Sequence, residues 1–123
     1  MSYEYTITPQ DGYLLYITSG VLDDVESLLA CTGIALQEAM AKECNLLIDD
    51  RRLTINLSNL DATLTGEHLA EIDLQVMGIR IASVQSPENM ELGRMFETVL
   101  TNRSLVFKVF EDRESAINWL NSD

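Results

Sequence analysis

The stretch IRIASVQSPENMELGRMFETVLTNRSLVFKVFEDRESAINWL, from Ile79 to Leu120, decides the fold. It divides into Ile79–Gln85, Ser86–Asn102, Ser104–Phe110 and Asp112–Leu120. The first and third units are short, apolar and rich in β-branched and aromatic residues, as strands are. The second opens with Ser86 as N-cap, Pro87 at the first helical position and Glu88 in the first turn. Its Leu92, Met95, Phe96, Val99 and Leu100 are predicted to face inward, with Glu91, Arg94 and Glu97 outward. The fourth is capped by Asp112 and predicted to bury Ala116, Ile117 and Leu120, with Trp119 packing the helix onto the sheet. Strand, helix, strand, helix implies parallel strands joined by helical crossovers, hence an α/β layer.

Upstream, Tyr3–Thr8 and Tyr13–Thr18 flank Pro9-Gln10-Asp11-Gly12, a hairpin pattern. Ser19-Gly20 is expected to break the second strand. Asp23 or Asp24 caps a helix running to about Lys42. Val25, Leu29, Thr32, Leu36 and Ala39 form its stripe, widened by Leu28, Ala35 and Met40. Cys31 and Ile34 extend apolar character beyond that stripe, and Gly33 costs about 1 kcal/mol relative to Ala.

Cys44–Ile48 has no alternation, which suits a central strand buried on both faces. It ends in Asp49-Asp50-Arg51-Arg52, after which Leu53, Ile55 and Leu57 alternate with polar residues. That alternation fits either a strand extension or an extended loop. A second helix lies between Asn59 and Met77, with Ser58, Asp61 or Thr65 as cap, Leu69, Ile72 and Val76 as stripe, and Gly78 as stop. The sum is a single domain over residues 1–123: a mixed, mostly parallel five-stranded sheet with helices packed on it, in the order β-β-α-β-α-β-α-β-α.

The 123 residues carry a net charge of −12, which disfavours nucleic acid and anionic lipid as partners. No Lys or Arg precedes Lys42. No apolar run is long enough to insert in a membrane, and Met1–Pro9 lacks the pattern of a signal peptide. A cytoplasmic protein is expected, with Cys31 and Cys44 as idle or buried thiols.

Ligands of open α/β sheets favour the carboxyl ends of the strands. That edge collects Asp49, Asp50, Arg51, Arg52, Gln85, Ser86, Glu111, Asp112 and Arg113, with Arg80 and Arg103 at the opposite edge. The candidate ligand site is Asp49, Asp50, Arg51, Gln85 and Ser86, for a small polar or anionic ligand held by Arg51 and by amides around Ser86. Glu88 opposes phosphate at that helix start. The competing reading is solvated loop charge and ordinary capping. Adjacent Asp49 and Asp50 point different ways from a strand and lack a third ligand at metal-binding spacing. His68 has no Gly-x-Ser-x-Gly partner motif and no zinc spacing with the cysteines. The six glycines form no phosphate loop. No catalytic residue, metal or cofactor is expected.

The element order resembles the SpoIIAA-like group of the STAS superfamily. The resemblance rests on Leu46-Leu47-Ile48-Asp49-Asp50 as central strand, on Arg80–Asn89, on the closing Phe107–Leu120 strand–helix unit, and on Ser115–Leu120 within it. STAS domains are regulatory and interaction modules. In anti-sigma factor antagonists a serine in an Asp-Ser-Ser-Gly-like turn after the central strand is phosphorylated. Here the region reads DDRRLTINLS over residues 49–58, without that turn. Thr54, Ser58 and Thr65 are hydroxyls in the wrong context, so the phospho-switch does not carry over.

The resemblance implies a regulatory or protein-interaction module without turnover. A small-ligand or lipid-binding sensor with a pocket at the sheet edge is the alternative, and a hydrolase using His68 the remote one. Cys31 and Ile34 on the first helix, with Leu74 and Met77 on the second, point to a homodimer.

Overall fold

The computed structural model describes residues 2–72, 78–102 and 105–122. Strands β1 (Ser2–Gln10), β2 (Tyr13–Leu22), β3 (Asn45–Ile55), β4 (Arg80–Val84) and β5 (Val106–Phe110) form one sheet in chain order. β1 is antiparallel to β2, and every later pair is parallel. Helices α1 (Val25–Lys42), α2 (Asn59–Ile72), α3 (Met90–Asn102) and α4 (Arg113–Leu120) connect and cover it. The expected mixed, mostly parallel five-stranded sheet is therefore the fold, with β3 at its centre.

The one-way strand order fixes the layers. Parallel crossovers are right-handed, so strands added in one direction keep their connecting helices on one face. The larger core agrees. It joins Leu14, Tyr16, Leu46, Ile48, Leu53 and Ile81 of the sheet to Leu28, Cys31, Ala35, Leu36 and Ala39 of α1 and Leu100 of α3. α2 packs on α3 and α1. The smaller core lies on the other face, where Ala116 and Leu120 of α4 cover Leu15, Leu47, Ala82 and Val84. Trp119 packs there as expected, 5.7 Å from Phe110 between ring centroids.

Several caps follow the sequence. Asp24 accepts from the Ser27 N–H at 2.7 Å, and Asp112 accepts from the Ser115 N–H at 2.7 Å. Ser58 Oγ accepts from the Asp61 N–H at 3.1 Å, which identifies the cap of α2. Residues 73–77 lie outside the described residues, as do Arg103 and Ser104. Leu74, Val76 and Met77 are among them, and the side chains of Leu69 and Ile72 lie outside the described set as well.

Other expectations need correction. Ser19-Gly20 does not end β2, because Gly20 takes φ +106° and the strand continues to Leu22. Of the two readings left open for Leu53–Ile55, the strand extension is the one observed, paired with Gly20–Leu22 and anchored by buried Leu53. Ser86 precedes a 3₁₀ turn, Pro87–Asn89, before α3 begins at Met90. Glu97 does not face solvent alone: its Oε1 accepts from the Val109 N–H of edge strand β5 at 2.7 Å. Cys31 is not beyond the inward stripe. It is 3% exposed, beneath Tyr16, whose hydroxyl donates to the Cys31 carbonyl at 2.7 Å. Ile34 is half-buried against the same core. The first helix thus packs Cys31 fully and Ile34 in part into the core of its own chain.

Candidate functional site

The carboxyl end of β3 is built around a β-bulge. Ile17 pairs with Asp49 and Ser19 with Arg52, so Thr18 opposes both Asp50 and Arg51. The pleat sends adjacent Asp49 and Asp50 to different layers, and the bulge leaves Arg51 and Arg52 on one face. Asp49, Arg51 and Arg52 line the α4 face of the sheet together with Ile17 and Arg113. Asp50 joins the face covered by α1 and α3.

On the α4 face, Asp49 is 3% exposed and holds two guanidinium groups. Arg51 donates from Nε to Oδ1 at 3.0 Å and from Nη2 to Oδ2 at 2.8 Å. Arg113 donates from Nε to Oδ2 at 2.6 Å, and the Arg51 backbone N–H reaches Oδ1 at 3.2 Å. Burial alone would raise the Asp49 pKa, but these bonds hold the carboxyl below the usual carboxylate range. The two arginine side chains stay 42% and 38% exposed, forming the rim of an open pocket of about 280 Å³.

On the other face, Thr18 Oγ1 donates to Asp50 Oδ1 at 2.5 Å and Gln85 Nε2 donates to Asp50 Oδ2 at 3.0 Å. Gln85 Nε2 also reaches Ser83 Oγ at 2.6 Å. Burial pushes the Asp50 pKa up, the two hydrogen bonds oppose this, and the nearby Asp49 charge adds to the rise. Asp50, Ser83 and Gln85 form the polar end of a cavity of about 50 Å³ whose remaining wall is mainly apolar, including Leu28, Leu36, Phe96 and Leu100. Gln85 is 5% exposed and its Oε1 has no hydrogen-bond partner among the described residues.

The five candidate residues therefore do not converge. Asp49 with Arg51 and Asp50 with Gln85 are separated by the sheet, and Ser86 sits at the start of the 3₁₀ turn without a side-chain cap bond. Sequence reasoning placed Arg113 at this edge but missed its bond to Asp49, and it missed the network role of Thr18. Asp112 one residue before Arg113 is a local signal, because it starts α4 and so fixes where Arg113 emerges.

The remaining candidates are accounted for locally. Thr65 is fully buried and donates to the Asp61 carbonyl at 2.7 Å, whereas Thr54 and Ser58 are exposed. His68 is exposed on α2. Both cysteines are free thiols, and burial pushes Cys31 up to about 11 against the opposing hydrogen bond with Tyr16. Arg80, at the opposite sheet edge, donates to the Trp119 and Ser122 carbonyls, each at 2.7 Å, and stacks over Trp119. It holds the C-terminal end of α4 rather than a ligand. No group of three or more His, Cys, Asp or Glu residues suited to a metal occurs among the described residues. No described helix is long and apolar enough to cross a membrane.

No protein-family profile matches the sequence, and no curated protein is significantly similar to it. Solved structures are similar over nearly the whole chain. An uncharacterised protein of the DUF3478 family from Shewanella loihica, with a SpoIIAA-like fold, is 23% identical. The match covers 96% of this chain and 93% of that one, with a TM-score of 0.55. An anti-sigma factor antagonist from Mycobacterium paratuberculosis is 14% identical, with coverage of 98% and 96% and a TM-score of 0.63. The fold is SpoIIAA-like.

Proposed function

We propose that this chain is a STAS-type regulatory module that acts by non-covalent protein interaction, without turnover. The observation that carries the reading is full-length structural likeness to an anti-sigma factor antagonist. The internal pairing at the strand ends supports it. Asp49 is committed to two guanidinium groups and Asp50 to Thr18 and Gln85. A hydrolytic site would need His68 beside a carboxylate and a hydroxyl, whereas His68 is exposed on α2. Affinity capture with the full chain, followed by reconstitution of the captured protein as a pure binary complex, tests the reading. A stoichiometric complex on size exclusion is expected. Failure of every enriched protein to reconstitute contradicts it.

One observation favours a second reading, a small-ligand sensor. Gln85 Oε1, unpaired among the described residues, belongs to a side chain lining a mostly apolar cavity, an arrangement suited to a small molecule with an apolar body and a donor group. Size opposes a lipid. At about 50 Å³ the cavity is well below the roughly 150 Å³ that accommodates benzene. A lipid chain would have to displace α1 or α3. Self-association remains part of the interaction reading, now through exposed Leu60 and Leu64, one turn apart on α2.

A further inference from the structure

In a chain of net charge −12, three of the eight basic residues line one pocket, Arg51, Arg52 and Arg113. The β3 bulge brings the first two to the same face, and α4 delivers the third. Bulges commonly re-aim side chains next to binding sites. Asp49 offsets one of the three charges and orients two of the guanidinium groups. It uses Nε and Nη2 of Arg51 but only Nε of Arg113. The outer nitrogens of Arg113 remain at the rim, and Arg52 is exposed without an ion pair among the described residues. Within the pocket the balance is +3 against −1, which suits a dianion. Fixed, planar guanidinium donors suit phosphate oxygens in particular.

The charges opposing such a ligand are Asp112, close enough to act on Arg51, and Glu4 in the adjoining groove. Asp112 is engaged by the Ser115 N–H and hydroxyl at the start of α4. Glu4 lines the adjoining groove and not the pocket itself.

The pocket is not isolated. Through Ile17 and Arg52 it continues into a groove of about 510 Å³ over β1 and β2, bounded by Tyr3, Glu4, Tyr5, Thr6 and Ser19. A free phosphate would leave this groove empty, whereas a phosphorylated side chain would bring neighbouring residues to fill it. We infer that Arg51, Arg52 and Arg113 receive a phosphorylated serine or threonine of a partner protein, with its flanking residues lying over the β1–β2 groove. The inference rests on the reading of the chain as an interaction module and names the chemistry of the partner.

The test is fluorescence anisotropy with the full chain and a labelled pentapeptide carrying a central phosphoserine between alanines. Its unphosphorylated form and inorganic phosphate serve as competitors. Saturable binding of the phosphopeptide alone is expected, weakened at least about tenfold by Arg52→Glu, since charge-assisted hydrogen bonds carry contributions of that order. Arg52 makes no described side-chain bond, so this variant should keep the thermal midpoint of the parent. Arg94→Gln on the exposed side of α3 should bind like the parent. Equal binding of the two peptides, no saturation, or unchanged binding in Arg52→Glu overturns the inference. Inorganic phosphate competing as tightly as the peptide overturns the assignment to a protein partner. A stoichiometric partner complex indifferent to phosphorylation would leave the interaction reading standing and this inference refuted.

Discussion

Asp49→Asn removes one charge and almost no volume. The asparagine could still accept at Oδ1 from the Arg51 backbone N–H and Nε. At the other position its amide would face Arg51 Nη2 and Arg113 Nε, donor against donor. Flipping the amide moves the same conflict to Oδ1. Two charge-assisted bonds are lost at a side chain that is 4% exposed. Their intrinsic contribution of about 1.5–3 kcal/mol each is reduced because both arginines are well over a third exposed and solvent screens them. A loss of about 2 kcal/mol at pH 7 is expected. The sign of the pH dependence follows from the lowered Asp49 pKa. The native state holds this carboxylate ionised more firmly than the unfolded chain, so the stability it supplies is complete above about pH 5. That stability falls away as acid protonates Asp49 in the native state. Urea unfolding of parent and variant from pH 7 down to pH 3 should show the gap narrowing with acid. A variant as stable as the parent at pH 7, or a gap that does not change with pH, would refute the reasoning.

Asp50 has the opposite sign. Its pKa is raised, so its stabilising contribution is present at low pH and lost as pH rises through the native value. Asp50→Asn should therefore gain stability relative to the parent as pH rises from 4 to 8, in the same urea assay, and a falling trend would contradict the burial argument. Gly33→Ala meets no described atom within 4 Å of the new Cβ and should gain about 1 kcal/mol by thermal or urea unfolding. Gly93→Ala would bring a Cβ within 2.9 Å of Val109 Cγ2 and 3.1 Å of Gln85 Cγ. It should lose about 1–3 kcal/mol despite its higher helix propensity. Sedimentation at low and moderate salt should show a dimer that tightens as screening rises and loosens in Leu60→Ser/Leu64→Ser. A strict monomer at both salt levels removes self-association.

Element order was legible because Ser86-Pro87, Asp112, Asp24 and the Asp11-Gly12 turn act locally, within a few residues of where they stand. The uninterrupted run Leu46–Ile48 read as a central strand for the same reason: burial on both faces removes alternation. What escaped depends on pairing between distant segments. The bulge exists only because β2 and β3 fall out of step between Ile17 and Ser19, and no single segment announces it. It keeps Asp49, Arg51 and Arg52 on one face, and the pleat sends Asp50 to the other. A site drawn from sequence proximity thus mixed residues from both sides of the sheet. Cys31 looked peripheral on a helical wheel, but Tyr16 reaches it from β2, a contact that periodicity cannot supply.

Native mass spectrometry of the purified chain tests the central claim most directly. A module that works through protein contacts, with a cavity of only about 50 Å³ behind Asp50 and Gln85, should appear at the mass of the bare polypeptide or its dimer. A lipid or metabolite retained at one equivalent per chain would contradict that account and turn the chain into a ligand sensor.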